Sequence, residues 1–175
     1  MKRRTAIIIT IVALIVPFLL LGTYSLSSTR ATPPTEAKTA PQSKYDVGAP
    51  DAGELLELVN AERAKYGVAP LVMDDRLNQS AQMKADDMVT YNYFGHVNHD
   101  GTQAYQVIGR LAGASCSYAS ENIRDNDEYI NTSREAFDAW VVSKPHHDAM
   151  LATKYSLTGF GIRNDQVVEH FCVAR

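Results

Sequence analysis

The chain is poor in the features that usually announce an enzyme. Its 175 residues contain no His-Glu-x-x-His pair, no Gly-x-Ser-x-Gly elbow and no glycine-rich nucleotide loop, so the commonest signatures of zinc proteases, serine hydrolases and phosphate-cradling enzymes are excluded. No internal repeat is visible, and tryptophan occurs once, at Trp140. Cations are scarce once the first fifty residues are set aside. From Asp51 onward eleven Lys and Arg face eighteen Asp and Glu, a net charge of −7, which is a poor match to a phosphate backbone and excludes nucleic acid as the expected partner. The same balance argues against this region lying on an anionic bilayer.

What is present begins with a leader. Lys2, Arg3 and Arg4 precede an apolar run from Ala6 to Gly22, and cations before such a run keep that end in the cytoplasm while the rest is exported. Residues 1–26 read as a signal-anchor that tethers the chain to the membrane. Thr23 to Ser28 lacks a clean Ala-x-Ala and the apolar run approaches the length of a short membrane span, which favours the anchor; a cleaved signal peptide, leaving a secreted protein, is the alternative. Residues 27–50, rich in Thr, Ser, Pro, Ala and Lys with Pro33-Pro34, cannot bury a core and read as a disordered linker. Residues 51–175 are one domain, extracytoplasmic in either case. Its two cysteines, Cys116 and Cys172, read as a disulfide in an oxidising compartment, worth roughly 2 to 5 kcal/mol. Two free thiols or a reactive Cys116 are the alternatives.

Periodicity predicts helices over 53–66, from Asp74 or Asp75 to about Thr90, and from Thr132, where Thr132-x-x-Glu135 forms a capping box, to Ser143. Pro145 marks an end or a kink. A shorter helix is expected over 104–111 within an otherwise irregular stretch. Strands are expected at 157–162 and 166–174, joined by a turn at 163–165. Helices with a terminal hairpin imply an α/β layered domain.

Three segments carry the chemistry: Phe94-Gly95-His96, Ser120-Glu121-Asn122-Ile123 and Trp140-x-x-Ser143-x-x-His146. Two imidazoles and a carboxylate make a ligand class suited to a divalent metal, zinc above all, with a position left for water. The same three groups could instead hydrogen-bond one another and fasten the backbone. Adjacent residues diverge, so at most one of His146 and His147 faces a shared pocket. His99 reads as a solvated turn residue, and His170 as half-buried packing on the last strand. Ser143 reads as a local backbone partner or a cleft hydroxyl, and Asn122 as a support for Glu121. Trp140, Tyr91, Tyr93 and Phe94 read as core, and 124–128 as an acidic surface loop rather than a calcium site.

The order Asn60-x-x-Arg63, Pro70-Leu71, Leu77, Ala81, Met88, Phe94-Gly95-His96, Glu121-Asn122-Ile123, Ala139-Trp140, Ser143-x-x-His146 and Gly159-x-Gly161 resembles the CAP superfamily, the SCP or PR-1-like group of cysteine-rich secretory, antigen 5 and pathogenesis-related 1 proteins. The resemblance covers Leu55 to Arg175 and is closest to short bacterial members. It implies an α-β-α sandwich with a cleft lined by two histidines and two acids. His96, Glu121 and His146 match three of these, whereas Ser143 stands where many members have the second acid, and Ser120 replaces the usual glycine. The expected function is a non-enzymatic module whose cleft, with His96, Glu121, Ser143 and His146, binds a divalent metal or a small or lipid-like ligand. The metal would be held by His96, His146 and Glu121. A metal-assisted hydrolase with Glu121 as its base, and a cell-surface interaction module, for a protein partner, in which the His/Glu cluster is purely structural, are the alternatives.

Overall fold

The computed structural model describes residues 48–124, 132–164 and 166–175. The leader at 1–26, almost all of the linker at 27–50 and the acidic loop beyond Arg124 lie outside the described residues. Among the described residues no helix is long and apolar enough to cross a membrane.

Among the described residues five α-helices and four strands follow in the order α1 (Ala52–Lys65), β1 (Val72–Met73), α2 (Asp75–Tyr91), α3 (Ala104–Ala112), β2 (Cys116–Arg124), α4 (Ser133–Val142), α5 (Lys144–Leu151), β3 (Leu157–Arg163) and β4 (Gln166–Ala174). The caps fall where the sequence places them. Asp51 accepts from the backbone N–H groups of Gly53 and Glu54 at 2.8 and 3.0 Å, Asp74 accepts from Arg76, and Thr132 from Glu135. Pro145 starts a helix instead of ending one: in the first turn of α5 its missing N–H costs nothing. The strand β2 corrects the irregular stretch expected between the second and third helices. Its polar Cys-Ser-Tyr-Ala-Ser-Glu-Asn run lacks the apolar alternation of a half-buried strand, and pairing with β4 overrides it.

The sheet runs β1-β3-β4-β2, with β1 parallel to β3 and the other pairs antiparallel. Alternation along β4 divides the layers. Val167 and Phe171 join Leu55, Val59, Phe137 and Trp140 on the face covered by α1, α4 and α5. Val168 and Cys172 face the α2 and α3 side with Ala81, Ile108 and Ile123. The α/β class and the α-β-α sandwich anticipated above are therefore observed.

Two features fix the layer spacing. A Cβ on Gly159 would overlap the backbone of Leu77 and Asn78, and one on Gly161 the backbone of Ala81 and Gln82, so α2 lies directly on β3. Asn78 and Gln82 then accept from the N–H groups of Phe160 and Ile162 at 2.9 and 3.1 Å, satisfying the edge of β3 that the short β1 leaves open. On the other face the buried Arg63 donates to the carbonyls of Ala69, Met150, Ala152 and Tyr155, tying α1 to the chain after α5. Cys116 and Cys172 are joined in a disulfide between β2 and β4, with Cα atoms 5.6 Å apart.

Candidate functional site

His96 reaches its position through the end of α2. Asn92 takes up a left-handed conformation (φ 51°) that stops the helix, and Tyr93 N–H returns to the Met88 carbonyl. The segment that follows is pinned from beneath by Lys84, 2% exposed, whose ammonium donates to Tyr93 Oη and Asn98 Oδ1, each at 3.0 Å. Asp87 accepts from Tyr93 Oη and from the His99 N–H. His99 is no free turn residue, since its Nδ1 also meets Asp87 at 2.6 Å and its ring stacks on Tyr91.

Glu121 sits at the centre of the polar cluster. Its Oε1 accepts from His96 Nδ1 and its Oε2 from His170 Nε2, both at 2.8 Å, and His170 Nδ1 lies 2.7 Å from Ser80 Oγ. A chain of four side chains thus runs from α2 through β4 and β2 to the molecular surface. Strand register makes it possible, because Glu121 and His170 are cross-strand partners on the α2 face of the sheet. Burial pushes the Glu121 carboxyl up, but hydrogen bonds from His170 and His96 and the charge of Lys84 outweigh it, so the group stays below the usual glutamate range.

His96, with its side chain 59% exposed, walls two openings. One, of about 230 Å³, is bordered by Gln103, Tyr105, Ser120 and Glu121. The other, of about 360 Å³, lies along β2, with Phe94, Ile123 and Trp140 as apolar walls and Arg124, Ser143 and His146 as polar ones. Ser143 precedes α5 and His146 lies in its first turn, His146 Nδ1 being 2.8 Å from Ser143 Oγ. Burial first, then repulsion from His96 and Arg124, holds the His146 imidazole below its ordinary range. Asn122 donates to the His146 carbonyl at 3.1 Å and so seats α5 against β2.

The structure therefore brings His96, Ser143 and His146 around one cavity and sets Glu121 behind His96. His147 turns away to Glu62 on α1, at 2.9 Å. Among the described residues no group of three or more His, Cys, Asp or Glu side chains is gathered closely enough to hold a metal ion. Three expectations need correction. His170 is fully buried and bonded on both nitrogens, where packing alone was expected. Its signal was its position two residues before Cys172, on the same strand face as the disulfide. Phe94 and Tyr91, expected in the core, are 47% and 53% exposed: Phe94 walls the cavity and Tyr91 covers His99.

The sequence model of the cysteine-rich secretory protein family, CAP, matches residues 56–174. The chain is 33% identical over 108 residues to the uncharacterized protein YkwD of Bacillus subtilis, and 29% identical over 120 residues to the uncharacterized membrane protein YlbC of the same organism. These matches cover 62% and 67% of this chain but only 40% and 33% of the relatives. Among solved structures, an extracellular SCP-domain protein of Bacillus anthracis superposes with a TM-score of 0.64 at 21% identity, covering 69% of this chain and 39% of that one. An outer surface protein of Borrelia burgdorferi gives 0.62 at 20% identity over 70% of this chain and 92% of the other. At these identities the structural likeness speaks for the fold alone.

Proposed function

The chain belongs to the cysteine-rich secretory protein (CAP) family, and from that premise we propose that it is an extracytoplasmic, membrane-tethered module whose cleft captures a small ligand together with a divalent ion, without catalysing a reaction. The observation that carries this reading is the pairing of two imidazoles across one cavity, each with its Nδ1 already engaged, His96 by Glu121 and His146 by Ser143. With Nδ1 donating, to the Glu121 carboxylate from His96 and to the Ser143 hydroxyl oxygen from the matching tautomer of His146, a neutral imidazole keeps its Nε2 lone pair free, as metal-binding histidines do. Glu121 spends both oxygens on His96 and His170, so its part in this reading is to orient His96 rather than to face the ion.

Two protein nitrogens fall short of the three or four ligands of resident zinc sites, so the ion exchanges readily and completes its shell with water or ligand oxygen. A bound ion would supply a Lewis-acid centre for ligand oxygen. A tether through residues 1–26 fits the leader, an extracytoplasmic location fits the disulfide, and an extracellular SCP-domain protein and a membrane protein stand among the similar chains. A second reading, a surface module in which the cluster is purely structural, is favoured by the burial of His170 and Glu121.

Zinc titration of the full chain in phosphatidylcholine vesicles separates them. The proposal expects saturable binding in the micromolar range or weaker that falls at least tenfold in both His96→Ala and His146→Ala. Zinc uptake indifferent to these two changes gives the structural reading the decision.

A further inference from the structure

The smaller opening, of about 230 Å³, shares only His96 with the larger one. Both of its banks are fixed before any ligand arrives. The loop from His96 to Gln103 closes on itself, with an antiparallel bridge between Val97 and Gln103 and the Asn98 N–H donating to the Thr102 carbonyl at 2.7 Å. Gln103 then starts α3, where Gln106 Oε1 accepts its N–H at 2.8 Å. On the other bank β2 supplies Ser120 and Glu121, whose backbones pair with Phe171 and His170 of β4. A rim held in this way loses little freedom on binding.

The polar groups of the rim work in both directions. The Ser120 hydroxyl and the Gln103 carboxamide each carry a donor and an acceptor. Glu121 stays ionised, but each of its oxygens already accepts from one imidazole and the charge of Lys84 lies near, so what remains is a pair of acceptor sites rather than a naked anion. The methyl side chains of Ala104 and Ala119 leave the floor unfilled.

Tyr105 completes the opening with an aromatic ring that is 58% exposed. Tyr118, almost equally exposed at 57%, has uses for its ring, which stacks with Tyr155 and carries the Lys154 ammonium 3.9 Å from its centroid. Among the described residues Tyr105 has no ring or cation partner and its hydroxyl no hydrogen bond. The negative face of such a ring attracts weakly positive C–H groups. A ligand with hydroxyls around its edge and C–H bonds on its face meets both demands at once, and a neutral sugar ring is that ligand. Added negative charge would be repelled by Glu121.

We propose that the smaller opening is a saccharide subsite, in which a neutral pyranose lies on Tyr105 and its hydroxyls bond Gln103, Ser120 and the remaining acceptor sites of Glu121. The inference goes beyond the reading above, since it needs neither an ion nor His146.

Saturation-transfer NMR reads weak binding of this kind from the ligand's side. The full chain in phosphatidylcholine vesicles, with protein-free vesicles as the blank, is titrated in EDTA with the methyl glycosides of glucose, galactose, mannose and N-acetylglucosamine. Methyl glucuronide, methyl glucosaminide and cyclohexanol serve as the anionic, cationic and hydroxyl-poor rings. At least one neutral glycoside is expected to bind saturably, about tenfold or more tighter than these three, with the strongest transfer to the C–H protons of one ring face. Tyr105→Ala should weaken it about tenfold and Ser120→Ala about threefold, while Tyr118→Ala changes nothing.

Absence of saturable binding by all four neutral glycosides overturns the proposal. So does equal affinity for any of the three comparison rings, or parental affinity in Tyr105→Ala, whose exposed position makes loss of the fold no explanation. Because the titration is run without metal, its failure leaves the zinc reading standing, and failure of zinc to bind leaves the sugar result standing.

Discussion

Glu121 and Glu169 stand on adjacent strands one register step apart, both withdrawn from water, yet burial leaves the first ionised and favours the neutral form of the second. Glu121 pairs across the ladder with His170, Glu169 with Asn122. On its face of the sheet Glu121 meets two imidazoles and the nearby charge of Lys84, which hold it below the usual glutamate range. On the opposite face, burial pushes Glu169 up to about 8, beyond what Thr158, Arg63 and Asn122 recover. Thr158 donates to Glu169 Oε1 at 3.1 Å, and Asn122 approaches the carboxyl without satisfying Oε2, which has no hydrogen-bond partner. Arg63 is near, yet it spends its donors on four carbonyls. Burial alone neutralises a carboxyl, whereas burial with dedicated donors preserves its charge. That is why the cleft-facing side has an anion to orient His96 and the core side does not.

The largest test of this contrast is Glu121→Ala. It strands the fully buried His170 and releases His96, and should cost about 4 kcal/mol of unfolding free energy, as removal of one partner of a buried pair does. Loss of under about 1 kcal/mol in urea melts at pH 7 would show that Glu121 is not a paired charge.

Glu169→Gln should behave in the opposite sense. With the native carboxyl titrating near 8 and the unfolded one near 4.5, the folded state holds the extra proton, so the parent loses stability as pH rises between those values, by about 3 kcal/mol from pH 5 to pH 8. The glutamine variant lacks that decline, and its advantage over the parent should widen toward pH 8. Parallel pH profiles would remove the raised pKa from the account.

Acid gives a smaller effect of reversed sign. Glu121 has a lowered native pKa, so its contribution is complete above about 4.5, the unfolded value, and fades as pH falls through the native one. Stability measured from pH 5 to pH 3 should drop more steeply in the parent than in Glu121→Gln. The smallest effect belongs to Ser143→Ala, which removes one neutral hydrogen bond to His146: about 1 kcal/mol or less in stability, with zinc affinity falling more than stability does. Equal losses in both would make Ser143 a structural residue only.

The fold was largely legible because helix caps, periodicity and the glycines of β3 act locally or through the pattern of several segments. The cluster was legible in part. His96, Glu121 and His146 stand out by residue type, but His170 does not, since its partner is set by strand register across 49 residues and its hydroxyl contact by the depth of α2. Strand β2 escaped for a related reason: its polar side chains are explained by the imidazole and backbone partners that only the assembled sheet provides. Arg124 gave no signal of its own, because its place beside His96 and His146 is set by chain far from it in sequence.

The seating of α2 on Gly159 and Gly161 has one more consequence. With no side chain between helix and sheet there is no cushion, so Ser80 and Lys84 are delivered to the polar cluster at a depth set by backbone thickness alone. A methyl group at either glycine would act as a shim: it would lift those two residues away together, and the charge on Glu121 would lose its support while the disulfide still clamped the strands.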